Sequence, residues 1–223
     1  MLILVVSGYR PRYTVVLHWW ISFSYISSAA IVDGGDQIST ILTFLLIPFG
    51  LLDGRKFHWL QASTKSFKTT NLFLNVVWNI IRLQIAVVYF FAAVEKFKVN
   101  EWVNGTSLYY WLTHNVHGMP DWLSIMTYPI LTSPVLLPMM TWSIITLELL
   151  LAGSLFIEKK YWKYFFIFGV VFHIGIALFL GLISFFFAML GALILYYTPL
   201  NQWVYINRYT QLWKIKLNSY TTE

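Results

Sequence analysis

Residues 72–105 read LFLNVVWNIIRLQIAVVYFFAAVEKFKVNEWVNG. The part from 72 to 94 is long and apolar enough to cross a hydrocarbon core about 30 Å thick as a helix. It nevertheless carries polar residues in a fixed register. Asn75, Arg82, Tyr89 and Lys96 recur every seven positions, a spacing that drifts only about 20° per step on an α-helix. They form one polar stripe, with Asn79 near its inner end. An ionisable group in hydrocarbon costs roughly 2.5–3.5 kcal/mol on insertion scales, and Arg82 and Lys96 are expected to line a polar cleft between helices together with Glu95, Asp36, Glu148 and His173.

The rest of the chain agrees with a membrane bundle. Of its 223 residues 58% are hydrophobic, 19% aromatic and only 11% charged, with a mean hydropathy of +0.66, a composition foreign to soluble domains. The absence of cysteine excludes structural disulfides, thiol nucleophiles, and Fe–S or cysteine-ligated zinc sites. The net charge of +6 sits in short loops beside apolar segments rather than in a patch, which speaks for membrane topology and against nucleic acid as a partner.

Apolar segments are expected at about 13–32, 38–52, 72–94, 139–157, 162–181 and 184–197. Every second connection is basic: Arg10 and Arg12; then Arg55, Lys56, Lys65 and Lys68; then Lys159, Lys160 and Lys163; then Arg208, Lys214 and Lys216. Lysine and arginine gather on the cytoplasmic side, so the pattern predicts six spans with both termini inside. Residues 119–138 are apolar but contain Pro120, Pro129, Pro134 and Pro138, which would break a continuous helix. A broken, re-entrant helical element on the outer side is the reading. The opening MLILVVSG is too short for a signal peptide or a span and reads as the end of a helix whose beginning is missing. Residues 1–200 are thus a transmembrane domain, and 201–223, rich in aromatic and basic residues, a cytoplasmic interfacial tail.

Inside the apolar segments Glu148 and His173 stand near the centres of the fourth and fifth. Arg82 and Glu148 are expected to pair at similar depth. His173 reads as an interhelical hydrogen-bonder or as a catalytic group. Lys96 has two readings, a lysine that snorkels to the headgroups or a base whose pKa is lowered by desolvation beside Phe91, Phe97 and Trp102. Asp33-Gly34-Gly35-Asp36-Gln37 reads as a tight turn with Asp36 capping the next helix. Asn104-Gly105-Thr106 is a glycosylation sequon and a turn signal. His114 and His117 have metal-like spacing but lack a carboxylate to complete a set, and no metal is expected. No Ser-His-Asp or HExxH protease pattern is present.

The stretch YFFAAVEKFKVNEWVNGTSLYYWL, residues 89–112, resembles the signature of the HTTM family, the membrane domain shared by vitamin K-dependent γ-carboxylase and many bacterial proteins. DGRKFHW (53–59), Glu148 in TLELLLAG and His173 in FHIGIALFLGLISFFFAMLG keep the family's order. Residues 7–37, SGYRPRYTVVLHWWISFSYISSAAIVDGGDQ, resemble a bacterial branch of the sporulation-delaying type.

The resemblance implies maturation of a small secreted peptide toxin, with the toxin precursor and a further subunit of the machinery as partners, in a bacterial cell membrane. It also implies a quinone or quinol as the cofactor of an enzyme of the carboxylase kind. The carboxylase's base lysine falls on Lys96 and the preceding signature lysine on Glu95. Its assisting histidine would fall near Asp36 or Gln37, where this chain has none. Lys96, Glu95, Asp36 and His173 are therefore the expected catalytic residues, Arg82 and Glu148 the buried pair, and Tyr89, Trp102 and Gln37 the substrate contacts. A non-catalytic peptide-binding or export scaffold is the remaining reading.

Overall fold

The computed structural model describes residues 2–59, 72–115 and 118–200. Among them the regular elements are helices: α1 Leu2–Val6, α2 Pro11–Ser28, α3 Gly34–Leu52, α4 Leu72–Lys96, α5 Asn100–Val103, α6 Ser107–Leu112, α7 Asp121–Leu131, α8 Leu136–Gly153, α9 Trp162–Leu180 and α10 Ile183–Tyr197. A helix stands at each of the six expected segments. Four stretches, Gly34–Leu52, Leu72–Lys96, Leu136–Phe156 and Lys159–Leu180, are long and apolar enough to cross a membrane, while the apolar α10 is shorter. α2 falls outside that group because it carries Arg12, His18 and several hydroxyls. Thr14, Ser22, Ser27 and Ser28 donate back to carbonyls one turn earlier, which hides the hydroxyls within the helix. The expected tail 201–223, with Arg208, Lys214 and Lys216, lies outside the described residues, as do Lys65, Lys68 and His117.

The chain forms two compact units. Of the described residues the first comprises 2–32, 39–59, 72–81 and 198–200. Here α2 and α3 approach so closely that a side chain on Gly50 would meet Val15 at 2.5 Å. Trp19 packs on Phe44, and Phe49 on Trp78. The turn after α1 pairs with the segment after α3 through Arg10 N–H to the Lys56 carbonyl and His58 N–H to the Gly8 carbonyl.

The second unit comprises Asp33–Ile38 and Arg82–Tyr197. Its core holds Ile85, Tyr89, Ala93, Leu151, Ala192, Leu193 and Tyr196. α9 and α10 form a hairpin closed by Gly181 in the left-handed region, φ 70°. Beyond the Lys96 end of α4, helices α6 and α7 and the start of α8 gather Leu112, Met119, Leu131 and Leu137 into a cluster against which Phe179 and Leu180 of α9 pack. The proline-rich stretch is broken as expected. α7 contains Pro129 and ends at Leu131, and α8 starts at Leu136, so that Pro134 falls in the gap and Pro138 in the first turn of α8, where no helical N–H is lost.

Outward faces of these helices stay apolar: Leu83, Phe90, Phe168, Val171, Leu178 and Phe187 are all exposed. A soluble protein would bury such residues, whereas lipid accommodates them. Over its described residues the protein is an all-helical membrane protein.

Candidate functional site

The α4 stripe becomes three separate contacts along the second unit. At its Lys96 end the side chain does not snorkel outward. It folds back along its own helix, donating to the Ala92 carbonyl at 3.0 Å and to both oxygens of Glu148, at 2.7 and 2.8 Å. The ammonium lies 5.1 Å from the Trp102 ring centroid. Trp102 is held in turn, since Trp142 Nε1–H donates to the carbonyls of Trp102 and Val103, both at 3.2 Å. Glu148 is almost fully buried, with 7% of its side chain exposed against 19% for Lys96. The ion pair is thus largely desolvated and covered by an aromatic ring.

Two turns along α4, Tyr89 shares a hydrogen bond with His173 Nε2 at 2.9 Å. Both residues are buried, and His173 Nδ1 has no partner among the described residues. Phe172 and Phe185 flank the imidazole. Two turns further, Arg82 Nε donates to the Tyr196 carbonyl at 3.1 Å, and the guanidinium stacks 4.4 Å from the Trp162 ring centroid.

These contacts correct the expected pairing. Glu148 takes Lys96, not Arg82. The two cations stand fourteen residues apart, about 21 Å along a helix axis, and the inward-folded lysine reaches the carboxylate first. Arg82 is instead solvated by the carbonyl end of α10, where the helix dipole is negative, and by aromatic faces. The residues that the sequence reading missed here are Trp162 and Tyr196. Each stands at the end of an apolar segment, where an aromatic reads as a membrane-interface anchor, so nothing in the pattern tied it to Arg82.

Other expected site residues go elsewhere. Glu95 is exposed and pairs with Lys98 at 2.6 Å, turned away from Glu148. Asp36 N–H donates to Asp33 Oδ1 at 2.9 Å, and Asp33 N–H to Asp36 Oδ2 at 3.1 Å. That is a reciprocal capping box, so Asp33 rather than Asp36 is the cap of α3. Gly35 lets this first turn lie on α10, because a side chain there would meet the Phe185 Cα at 2.9 Å. Gln37 is exposed. Gly105 adopts φ 74° against Pro138, so the Asn-Gly signal marks a turn.

The first unit holds a cluster that the sequence showed only as a motif. Asp53, 4% exposed, accepts from Arg55 Nε and Nη2 at 2.7 and 2.6 Å and lies 2.9 Å from His58 Nδ1. Burial raises the Asp53 pKa, but the hydrogen bonds from Arg55 and His58 and the guanidinium charge outweigh it and hold the carboxyl below its ordinary value.

The three acceptors around Lys96 Nζ match the three hydrogens of an ammonium, so the base role that the resemblance implies would first require Lys96 to pass a proton to Glu148. What the pair can do is hold complementary charges in a largely buried setting, exchange one proton between them, or open to receive a charged group of a peptide.

Similar proteins place the chain. It is 41% identical over 221 residues to the uncharacterized protein YitO of Bacillus subtilis (strain 168), covering 97% of this chain and 70% of the relative. It is 37% identical over 215 residues to Sporulation-delaying protein SdpB of the same organism, covering 96% of this chain and 66% of that relative. The chain therefore spans about two thirds of the length of these relatives. No solved structure matches it. The HTTM domain model covers residues 41–203, from within α3 past the end of α10, and the chain belongs to the HTTM domain family.

Proposed function

We propose that the protein is a membrane-embedded factor for the maturation of a secreted peptide toxin of the sporulation-delaying type, working with a further subunit of that machinery. The observation that carries this reading is the 37% identity to Sporulation-delaying protein SdpB along 96% of the chain. In this reading residues 1–200 cross a bacterial cell membrane six times with both termini inside. The break before α8 and the short helices α5–α7 stand at the outer face beside Lys96.

The Lys96–Glu148 pair is the working centre. A carboxylate or amine of the precursor replaces one partner while Trp102 covers the exchange, and the buried Tyr89–His173 contact fixes α9 against α4 beneath it. The hydrogen-bond saturation of Lys96 favours a role in which its charge binds and positions the peptide over one as a base.

The test is maturation in cells that make the toxin precursor but lack their own factor. With this protein supplied, mass spectrometry of the medium shows the mature peptide. Precursor alone, with the protein present in the membrane, would refute the assignment.

A further inference from the structure

We propose that the Arg82 end of the second unit is a binding site for a phosphate group, supplied by the headgroup of an anionic lipid. Arg82 lies within a stretch long and apolar enough to span the bilayer, where a cation requires an anion. No carboxylate among the described residues serves it: Glu148 is taken by Lys96, and Glu158 by Lys160 at 2.6 Å. Arg82 spends Nε on the Tyr196 carbonyl. Its two terminal nitrogens have no acceptor among the described residues, and the side chain is only partly buried. A guanidinium fork with both terminal nitrogens open matches two oxygens of one phosphate.

The surroundings locate that phosphate at a headgroup layer. Trp162 opens α9 and Tyr196 stands in the last turn of α10, so Arg82, the eleventh of the 25 residues of α4, is level with these ends of α9 and α10. Trp162, 6% exposed, is a fixed platform. Arg82 stacks on it at 4.4 Å, and Lys159 Nζ lies 5.8 Å from the same ring centroid. Lys163 follows one residue into α9, exposed. A planar fork on a buried ring, with two exposed lysines beside it, suits a phosphodiester whose acyl chains run along the apolar faces of α9 and α10.

The experiment uses the full chain in neutral detergent, with lipid adducts counted by native mass spectrometry. Phosphatidylglycerol is compared with phosphatidylcholine of the same acyl chains, each with and without sodium phosphate. Phosphatidylglycerol is expected to bind tightly, and Arg82→Gln to weaken it about ten- to hundredfold, the effect of losing charge-assisted hydrogen bonds. Lys159→Gln with Lys163→Gln, both exposed and safe for folding, is expected to weaken it several-fold, while Lys98→Gln at the other end of α4 leaves it unchanged. Equal binding of the two lipids, or equal loss from Lys98→Gln and the Lys159/Lys163 double variant, overturns the proposal. Displacement of the lipid by an equal concentration of sodium phosphate overturns the lipid as the source.

Discussion

Glu148 and Lys96 hold each other where most of both side chains is removed from solvent. Removing one partner leaves the other buried and uncompensated, which costs about 3–5 kcal/mol, whereas replacing both with apolar residues is often neutral. Lys96→Met and Glu148→Leu singly should therefore each lower the thermal unfolding midpoint in detergent, and the double variant should recover most of the loss. A double variant as unstable as the sum of the singles would show that the two residues act apart. Asp53 gives a pH prediction outside the spans. Its folded pKa lies below the ordinary value of 3.8, so its contribution is complete above that value and is lost as pH falls through the folded one. Asp53→Asn should destabilise the protein at neutral pH and flatten the acid limb of a stability-against-pH curve below pH 4.

Element boundaries follow local chemistry that the apolar pattern does not show. α3 starts at Gly34, four residues before its apolar segment, because the Asp33–Asp36 box satisfies the first N–H groups. Asp33→Ala should cost about 0.5–2 kcal/mol, the worth of a helix cap, measured by the same unfolding assay. Gly105 carries a second constraint, with φ 74° and Pro138 only 2.6 Å from where a side chain would begin. Gly105→Ala should destabilise by roughly 1–3 kcal/mol and disturb Trp102, the roof over Lys96. The turn was legible in Asn-Gly. Its packing against the first turn of α8 was not, because nothing in a single sequence says that residues 105 and 138 meet.

At the scale of the molecule, the membrane character was readable from hydropathy and the all-helical fold from segment lengths, since both depend on summed properties. The site was readable only in part. The seven-residue stripe put Arg82, Tyr89 and Lys96 on one face of α4, and Tyr89 is buried and the two cations partly so, while Asn79 is exposed; but sequence depth is counted at the backbone, and a lysine reaches several ångströms from it. That reach, directed back toward Ala92, decides which cation Glu148 meets. Topology has a clean test because the chain contains no cysteine. Single cysteines at Glu101 and Lys159 should be labelled by an impermeant thiol reagent from opposite sides of the membrane, and labelling from one side would contradict the six-span arrangement. Whether Lys96 acts as the charged half of an ion pair is decided by the yield of mature toxin in cells carrying Lys96→Arg, Lys96→Ala or Glu148→Gln at matched membrane abundance. Arg, which preserves the charge, should keep substantial yield, and Ala and Gln should lose it; loss with Arg equal to that with Ala, or full yield with Ala, would rule that role out.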